Sequence, residues 1–508
     1  MKLTSAGMRA TFLVPALGQS PGGIEIDLRR DLWVGILWLL VALVSRYALL
    51  SHWSLWGDEY YTFADARKIF TSARRESGLV YPLFFVLTKG ALLWLPGSLS
   101  LEFKLRCIPA LAGAMAVWVL FRGTRSVLPP LERHLVAALA AFSPWLLFLS
   151  QWARFYSQLC LLSSAAVFLL LRALETNSTV RACLALVCVI LAILTHPSAV
   201  LLLCSLILAG ILVSWLGYVR GHRALFPLYA MFVLAILLLI TALWRFDLLE
   251  KTVGRKLQGG GGGLQSVVEL FQGIIYNLGL SVAALSVLGM GVLYRKDRRL
   301  FHFVWVGAGL PLAAVLLLAA RGAEMDQRYL IPEVALMFIP AAAMLGEMAR
   351  RARAAVRGGG AAVIALGFVP FLPSLVSHYV DGNSHDLRSA AGFIEEHWQE
   401  GDAVICENNA VMAIYCRKTG ASNLVEAPPE TREEHFKYVR LLKECARLWV
   451  VIPDDFQFRP GPEASFHHWA FTQGRLMQEL YPPRIDYHQN RLLIFEIDPR
   501  HAVRWNPY

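Results

Sequence analysis

The sequence predicts an α-helical protein that crosses a membrane many times and ends in a small soluble α/β domain. Three observations predict it. From Asp31 to Tyr379 the chain is a series of apolar runs, each near the roughly 20 residues that cross a bilayer as a helix. Charged residues are 17% of the chain, against roughly 25% in soluble proteins, and the mean hydropathy is +0.50. Much of the positive charge sits in alternate short loops between the runs, the signal of membrane orientation.

Taken in order, residues 1–30 read as a cytoplasmic tail ending in Arg29 and Arg30. Its apolar patch, Thr11–Leu17, is short and broken by Pro15, and so makes no convincing secretory signal. The transmembrane body follows over 31–380. Its runs lie near 31–51, 103–121, 131–150, 155–174, 180–195, 198–217, 224–244, 267–293, 300–320, 329–348 and 358–377, about 11 spans. A further run, 80–97, holds Pro82, Pro96 and a central Lys89. With the N-terminus in the cytoplasm and this run not crossing, every cytoplasmic turn is basic. Arg122, Arg125 and Arg133 come first, then Arg172 and Arg181, Arg220 and Arg223, Arg295 to Arg299, and Arg350 to Arg357. If it crossed, those clusters would fall outside for several turns. Residues 52–102 therefore read as one external loop with an amphipathic piece lying along the interface. Five glycines, Gly259–Gly263, make a flexible tether in the external loop 245–266. They form no phosphate cradle, because no Gly-Lys-Ser/Thr follows and no strand precedes.

Residues 381–508 read as a soluble extracytoplasmic α/β domain. A helix is predicted over Asp386–Trp398, with Leu387, Ala390, Ala391, Ile394 and Trp398 on one face. Strands are predicted at Asp402–Cys406, Leu448–Ile452 and Leu492–Ile497, and a second helix at Ala410–Arg417. This length is enough to bury a core. Cys107, Cys160, Cys183, Cys188 and Cys204 lie in apolar runs and act as small hydrophobes. Cys406, Cys416 and Cys445 match no zinc spacing, and a Cys406–Cys416 disulfide and free thiols are both open. The net charge of +11 does not point to nucleic acid, since its basic residues mark loops and not a basic face on a soluble surface.

Polar residues at the outer helix ends are the place to look for chemistry, because charges at membrane depth are costly. The leading feature is Trp56-Gly57-Asp58-Glu59-Tyr60-Tyr61. Two adjacent carboxylates follow directly on the first span. As plain structure they start an interfacial helix with Asp58 as its cap. As chemistry they are a base and its neighbour. Further along come Tyr81-Pro82-Leu83, Leu95-Pro96-Gly97 with Arg106, Ser150-Gln151-Trp152-Ala153-Arg154-Phe155-Tyr156, Thr195-His196-Pro197 and Arg328-Tyr329-Leu330-Ile331-Pro332.

In their order and common outward placement, these segments resemble the GT-C glycosyltransferases. The resemblance is to the branch holding the protein O-mannosyltransferases and the lipid A aminoarabinose transferases. It implies a GT-C fold and transfer of a hexose or pentose from a polyprenyl-phosphate donor to an acceptor hydroxyl, with inversion. It also implies that Asp58 is the base and that Glu59 orients it or helps to bind acceptor or metal. A guanidinium binds phosphate bidentately and stays charged, so Arg328 is the candidate for the lipid phosphate, with Tyr329, Arg154 and Tyr81 beside it. Read blandly, Arg328 snorkels or pairs with Asp326, and Arg154 anchors the interface. Tyr61, Tyr156 and His196 are candidates for substrate binding. Their bland readings are an aromatic belt and a hydrogen-bonded turn. Many GT-C enzymes carry a second acidic residue near Arg154. This chain has none there, which favours a metal-independent reaction and leaves a divalent metal open. The predicted partners are the donor lipid, a glycolipid, glycan or protein acceptor, and the bilayer of a bacterial inner membrane.

Two other classes compete. A transporter or flippase would show paired repeats, broken helices and mid-membrane charges. No repeat between the halves is evident, and the charges gather at helix ends. A scaffold whose soluble domain does the binding leaves the Asp58–Glu59 placement without a purpose. A polymerase or ligase using a diphosphate lipid fits less well with an acidic pair after the first span.

Overall fold

The computed structural model describes residues 28–69, 82–218, 230–233, 237, 263–321, 325–380, 385–418, 420, 423–429, 431–454, 461–480 and 491–505. Residues 259–262 of the glycine tether, Tyr81, Arg74, Arg75 and most of the run 224–244 lie outside them.

The membrane body begins with α1 (Leu28–Tyr47), α2 (Gly57–Lys68), α3 (Pro82–Trp94), α4 (Leu101–Gly123), α5 (Pro130–Phe142) and α6 (Pro144–Gln151). It continues with α7 (Tyr156–Thr176), α8 (Thr179–Thr195), α9 (Ala199–Trp215), α10 (Gly263–Leu278), α11 (Leu280–Lys296) and α12 (Arg298–Ala320). A 3-10 turn, Gln327–Glu333, leads into α13 (Val334–Ala355), α14 (Gly359–Phe368) and α15 (Leu372–Val380). Among the described residues, five helical stretches are long and apolar enough to cross a bilayer, and two bent pairs would add two more. The chain is a multi-pass membrane protein. At 13 residues, α3 reaches about 20 Å, too short for a hydrocarbon core of roughly 30 Å. Its Phe84, Phe85, Thr88 and Ala91 form one buried face.

Two predicted single spans are broken. The run 131–150 bends by 50° between α5 and α6. Pro144 forces Ser143 into an extended conformation (φ −61°, ψ 118°) and has no N–H for the Ala140 carbonyl. The buried Arg46 supplies the missing donor, bonding Ala140 O at 2.9 Å and Ala141 O at 3.2 Å. The run 267–293 is two helices meeting at 96°. Gly279, at φ +82° and ψ 133°, takes a positive-φ conformation open to glycine that ends α10 and starts α11 in a new direction.

The C-terminal domain holds α16 (Leu387–His397), β1 (Asp402–Cys406), α17 (Asn409–Tyr415), β2 (Leu424–Glu426), α18 (Arg432–Glu444), β3 (Arg447–Pro453), α19 (Pro462–Gln473), β4 (Arg475–Leu480) and β5 (Leu492–Ile497). The strands form one sheet in the order β2-β1-β3-β5-β4, parallel across the first three and antiparallel across the rest. The three predicted strands are its centre. Their side chains alternate between two buried faces, as period two requires. Ala403, Ile405, Leu448, Val450 and Phe495 pack under Tyr438 of α18 and Phe466 and Trp469 of α19. Val404, Cys406, Trp449, Val451 and Ile494 pack under α16 and α17, and this second cluster is completed by Leu55, Leu105 and Ala153 of the membrane body. Cys406 and Cys416 are both buried, and no disulfide joins them among the described residues.

Candidate active site

The loop after α1, the start of α2, the links between α6 and α7 and between α8 and α9, and the 3-10 turn before α13 meet at the end of the bundle that bears the C-terminal domain. Helix α2 begins at Gly57 because Trp56 is extended (φ −95°, ψ 161°) and its N–H donates to Glu59 Oε2 at 2.9 Å. Adjacent helical residues diverge by about 100° around the axis, so Asp58 and Glu59 have separate surroundings.

Glu59 turns inward and is 1% exposed. Its carboxylate accepts from Arg106 Nε (2.8 Å), Arg106 Nη2 (2.6 Å) and Ala153 N (2.8 Å), besides Trp56 N. Arg106 also donates to Leu50 O (3.1 Å), Trp53 O (2.9 Å) and Ser54 O (2.8 Å). Those bonds use the five N–H donors of the guanidinium. A carboxylate bonded this way holds the loop in place.

Asp58 turns outward, and its side chain is 42% exposed. Arg154 faces it, with Nη2 3.8 Å from Oδ2 and Nη1 donating to the Asp58 carbonyl at 3.4 Å. Arg154 lies 5.2 Å from the Phe155 ring and 6.0 Å from the Trp152 ring. Arg328 lies 5.5 Å from the same Trp152 ring and 5.7 Å from Tyr156. A guanidinium over an indole is attracted by the ring quadrupole, so Trp152 gathers both cations at one place. Asp58 lies within electrostatic reach of Arg328 and Tyr156. Asp326 steadies Arg328, accepting its Nε at 2.6 Å and its backbone N–H at 2.8 Å, and also pairing with Nη2. A polar cavity of about 350 Å³ adjoins Arg328, lined by Glu269, Asp326, Gln327 and Tyr329.

His196 closes the rear of the site. It stacks on Phe155 at 4.5 Å and lies 6.1 Å from Tyr329 and 6.3 Å from Tyr156. Its Nδ1 accepts the Ser198 N–H at 3.1 Å and lies 2.7 Å from Ser198 Oγ. The structure thus brings together Asp58, Glu59, Arg154, Tyr156, His196, Arg328 and Tyr329. Tyr61 is 51% exposed and meets Tyr60 edge-on at 5.8 Å. Lys89 Nζ donates to Arg67 O.

Sequence reasoning quoted Trp152 in a motif without a role, read Asp326 only as a pairing partner of Arg328, and assigned no role to Arg388 or Tyr415. Asp326 carried a signal, two residues before Arg328 and suited to cap the turn. Arg388 and Tyr415 carried none, because they reach the site only through domain packing. Among the described residues, no group of three or more His, Cys, Asp or Glu side chains is arranged to hold a metal ion.

No protein-family model and no curated protein matches the sequence. Solved structures do match the fold. One is ArnT from Cupriavidus metallidurans bound to undecaprenyl phosphate, at 14% identity and a TM-score of 0.53, covering 92% of this chain and 97% of that one. Another is the archaeal oligosaccharyltransferase AglB from Archaeoglobus fulgidus, in complex with an inhibitory peptide and a dolichol-phosphate. It has 12% identity and a TM-score of 0.53, covering 91% of this chain and 75% of that one. The protein has the GT-C fold that these structures share.

Proposed function

We propose that this protein is an inverting glycosyltransferase that moves a sugar from a polyprenyl phosphate to an acceptor hydroxyl at the extracytoplasmic face. The observation that carries this reading is the convergence of one outward carboxylate, Asp58, and two guanidinium groups, Arg154 and Arg328, on the indole of Trp152. The two solved structures of the same fold hold undecaprenyl phosphate and dolichol-phosphate, the ligand class that two arginines suit.

Asp58 takes the proton from the acceptor hydroxyl as its oxygen attacks the anomeric carbon. The bond between that carbon and the phosphate oxygen breaks, and the lipid phosphate leaves with the bonding electrons. Its charge develops against Arg328 and Arg154, whose donors are already in place. Attack opposite the leaving group inverts the anomeric centre. Glu59 and Arg106 act through the loop that carries Asp58, and Tyr156, Tyr329 and His196 form the aromatic wall of the donor site. The step is written without a metal.

The orientation belongs to the same proposal. Asp31 pairs with Arg122, Arg125 and Arg133 at one end of the bundle, where Glu175 pairs with Arg299 and Glu347 with Lys296. Lys/Arg enrichment supports reading this as the cytoplasmic end, in a membrane we take to be a bacterial inner membrane. Residues 1–30 are then cytoplasmic, 31–380 are the GT-C body and 381–508 are periplasmic. The test is transfer by purified protein from radiolabelled polyprenyl-phosphate hexoses and pentoses to glycolipid, glycan and peptide acceptors. Asp58→Asn should lower kcat by about a hundredfold or more. Transfer unchanged in Asp58→Asn removes the reading.

A further inference from the structure

The loop between α1 and α2 is gripped from two sides. Seven consecutive positions, 51 to 57, touch one grip or the other. The membrane body takes the carbonyls of Trp53 and Ser54 through Arg106 and the Trp56 N–H through Glu59. The C-terminal domain takes the rest. Arg388 Nη2 donates to Ser51 O at 3.3 Å and its Nη1 to His52 O at 3.2 Å. Ser54 Oγ donates to His385 O at 2.6 Å. Leu55 N–H donates to the Tyr415 hydroxyl at 2.8 Å. A Cβ on Gly57 would fall 2.2 Å from Asn408 Oδ1, so the Asn408 side chain lies directly against the residue before Asp58.

The domain's grip is itself braced. The Tyr415 hydroxyl donates to Glu102 Oε1 at 2.7 Å, and Glu102 also pairs with Arg388, whose guanidinium lies 5.5 Å from the Tyr415 ring. Asn408 holds a left-handed conformation (φ +59°) with its N–H on Glu426 Oε1 at 2.9 Å. Burial and the Glu102 charge push the Tyr415 hydroxyl above its ordinary value, so it stays protonated and able to donate. Leu55 is fully buried in the cluster that the two domains share. A loop of this length has many conformations when free, and without the C-terminal domain the Ser51 and His52 carbonyls and the Leu55 N–H lose these bonds.

We propose that Arg388, Tyr415 and Asn408 are positioning residues for Asp58, and that the C-terminal domain is the outer jaw of a clamp that sets this carboxylate against Arg154 and Arg328. The proposal rests on the reading of Asp58 as the base. A displacement of about 1 Å in a catalytic group costs on the order of a hundredfold in rate, so the domain acts on kcat without touching substrate.

The test uses full-length protein in lipid nanodiscs. Tyr415→Phe and Arg388→Ala are compared with Tyr438→Phe, a control in the same domain that loses a hydroxyl accepting the Trp505 N–H at 2.8 Å. Hydrogen–deuterium exchange is read on the peptide covering 51–60, and transfer is read with the radiolabelled polyprenyl-phosphate sugar panel. Tyr415→Phe and Arg388→Ala should each speed exchange at 51–57 and lower kcat by about ten- to a hundredfold with donor KM unchanged. Tyr438→Phe should do neither. Exchange and kcat equal to wild type in both clamp variants, or equal losses in Tyr438→Phe, overturn the proposal. Transfer that survives Asp58→Asn removes the catalytic reading and the proposal with it. Loss in Asp58→Asn alongside full activity in the clamp variants removes the proposal alone.

Discussion

Replacing Arg106 with Met tests the architecture beneath the site. The side chain is similar in length and apolar, and so keeps much of the packing. It removes all five guanidinium donors and leaves Glu59, 1% exposed, with only the N–H groups of Ala153 and Trp56. Breaking a buried ion pair from one side costs about 3–5 kcal/mol, because the remaining charge stays buried without compensation. That is a large fraction of a total stability of roughly 5–15 kcal/mol. Pairing Arg106→Met with Glu59→Gln removes the stranded charge and should recover on the order of 2–3 kcal/mol. The assay is denaturant unfolding in detergent micelles, run as a double-mutant cycle over wild type, both single variants and the pair. If Arg106→Met costs less than about 1 kcal/mol, as an exposed pair would, or if the double variant equals the sum of the singles, the account of Glu59 as a buried anchor is wrong.

The crossing of α11 and α13 gives a second prediction. A Cβ on Gly289 would lie 1.9 Å from the Pro340 carbonyl oxygen, whereas one on Gly291 meets nothing within 4 Å. Gly289→Ala should therefore cost about 1–3 kcal/mol, while Gly291→Ala is neutral or stabilising by up to about 1 kcal/mol; equal thermal midpoints for the two variants would count against this crossing. At the α5–α6 bend, Arg46→Met strips the donor from Ala140 O and should lower the unfolding midpoint, an effect that should be absent when Pro144→Ala restores the helical N–H. In the C-terminal domain, burial raises the Glu426 carboxyl above its ordinary range, helped by Glu434 and Glu407 and opposed by the Asn409 and Asn408 N–H groups. The folded state then holds this proton more tightly than the unfolded chain. Its stabilising contribution is present below the usual carboxyl range and is lost as pH rises through the raised folded value. Glu426→Gln should flatten the pH–stability curve over that window, and a curve that keeps wild-type slope would refute the assignment. A chelator such as EDTA should leave transfer unchanged if the two arginines suffice for the leaving phosphate; loss restored by added divalent cation would show that they do not.

What the amino-acid order determined by itself is what depends on local composition and on distance along one chain. Apolar runs of bilayer length mark the helices α1, α4, α7, α8, α9 and α12 with ends close to those observed, and mark α13 with ends several residues away. The strands β1, β3 and β5 are read at Asp402–Cys406, Leu448–Ile452 and Leu492–Ile497, and the strand order then places them at the centre of the sheet. Asp58, Arg154, Tyr156, His196 and Arg328 were legible as candidates because each is a polar residue at a helix end, where charge persists only for a reason. Three matters belonged to the tertiary structure. Hydropathy is blind to direction, so the 96° turn at Gly279 looks like one continuous span until its φ is known. Two adjacent carboxylates are alike in sequence, and only the position of Arg106, 47 residues further on, makes Glu59 an anchor and leaves Asp58 outward. The glycines of α11 are likewise equivalent on paper, and the approach of Pro340 distinguishes them. The physical reason is common to all three. Burial, pairing and close approach are properties of what a residue meets, and its partners come from segments whose separation along the chain bears no relation to their separation in space.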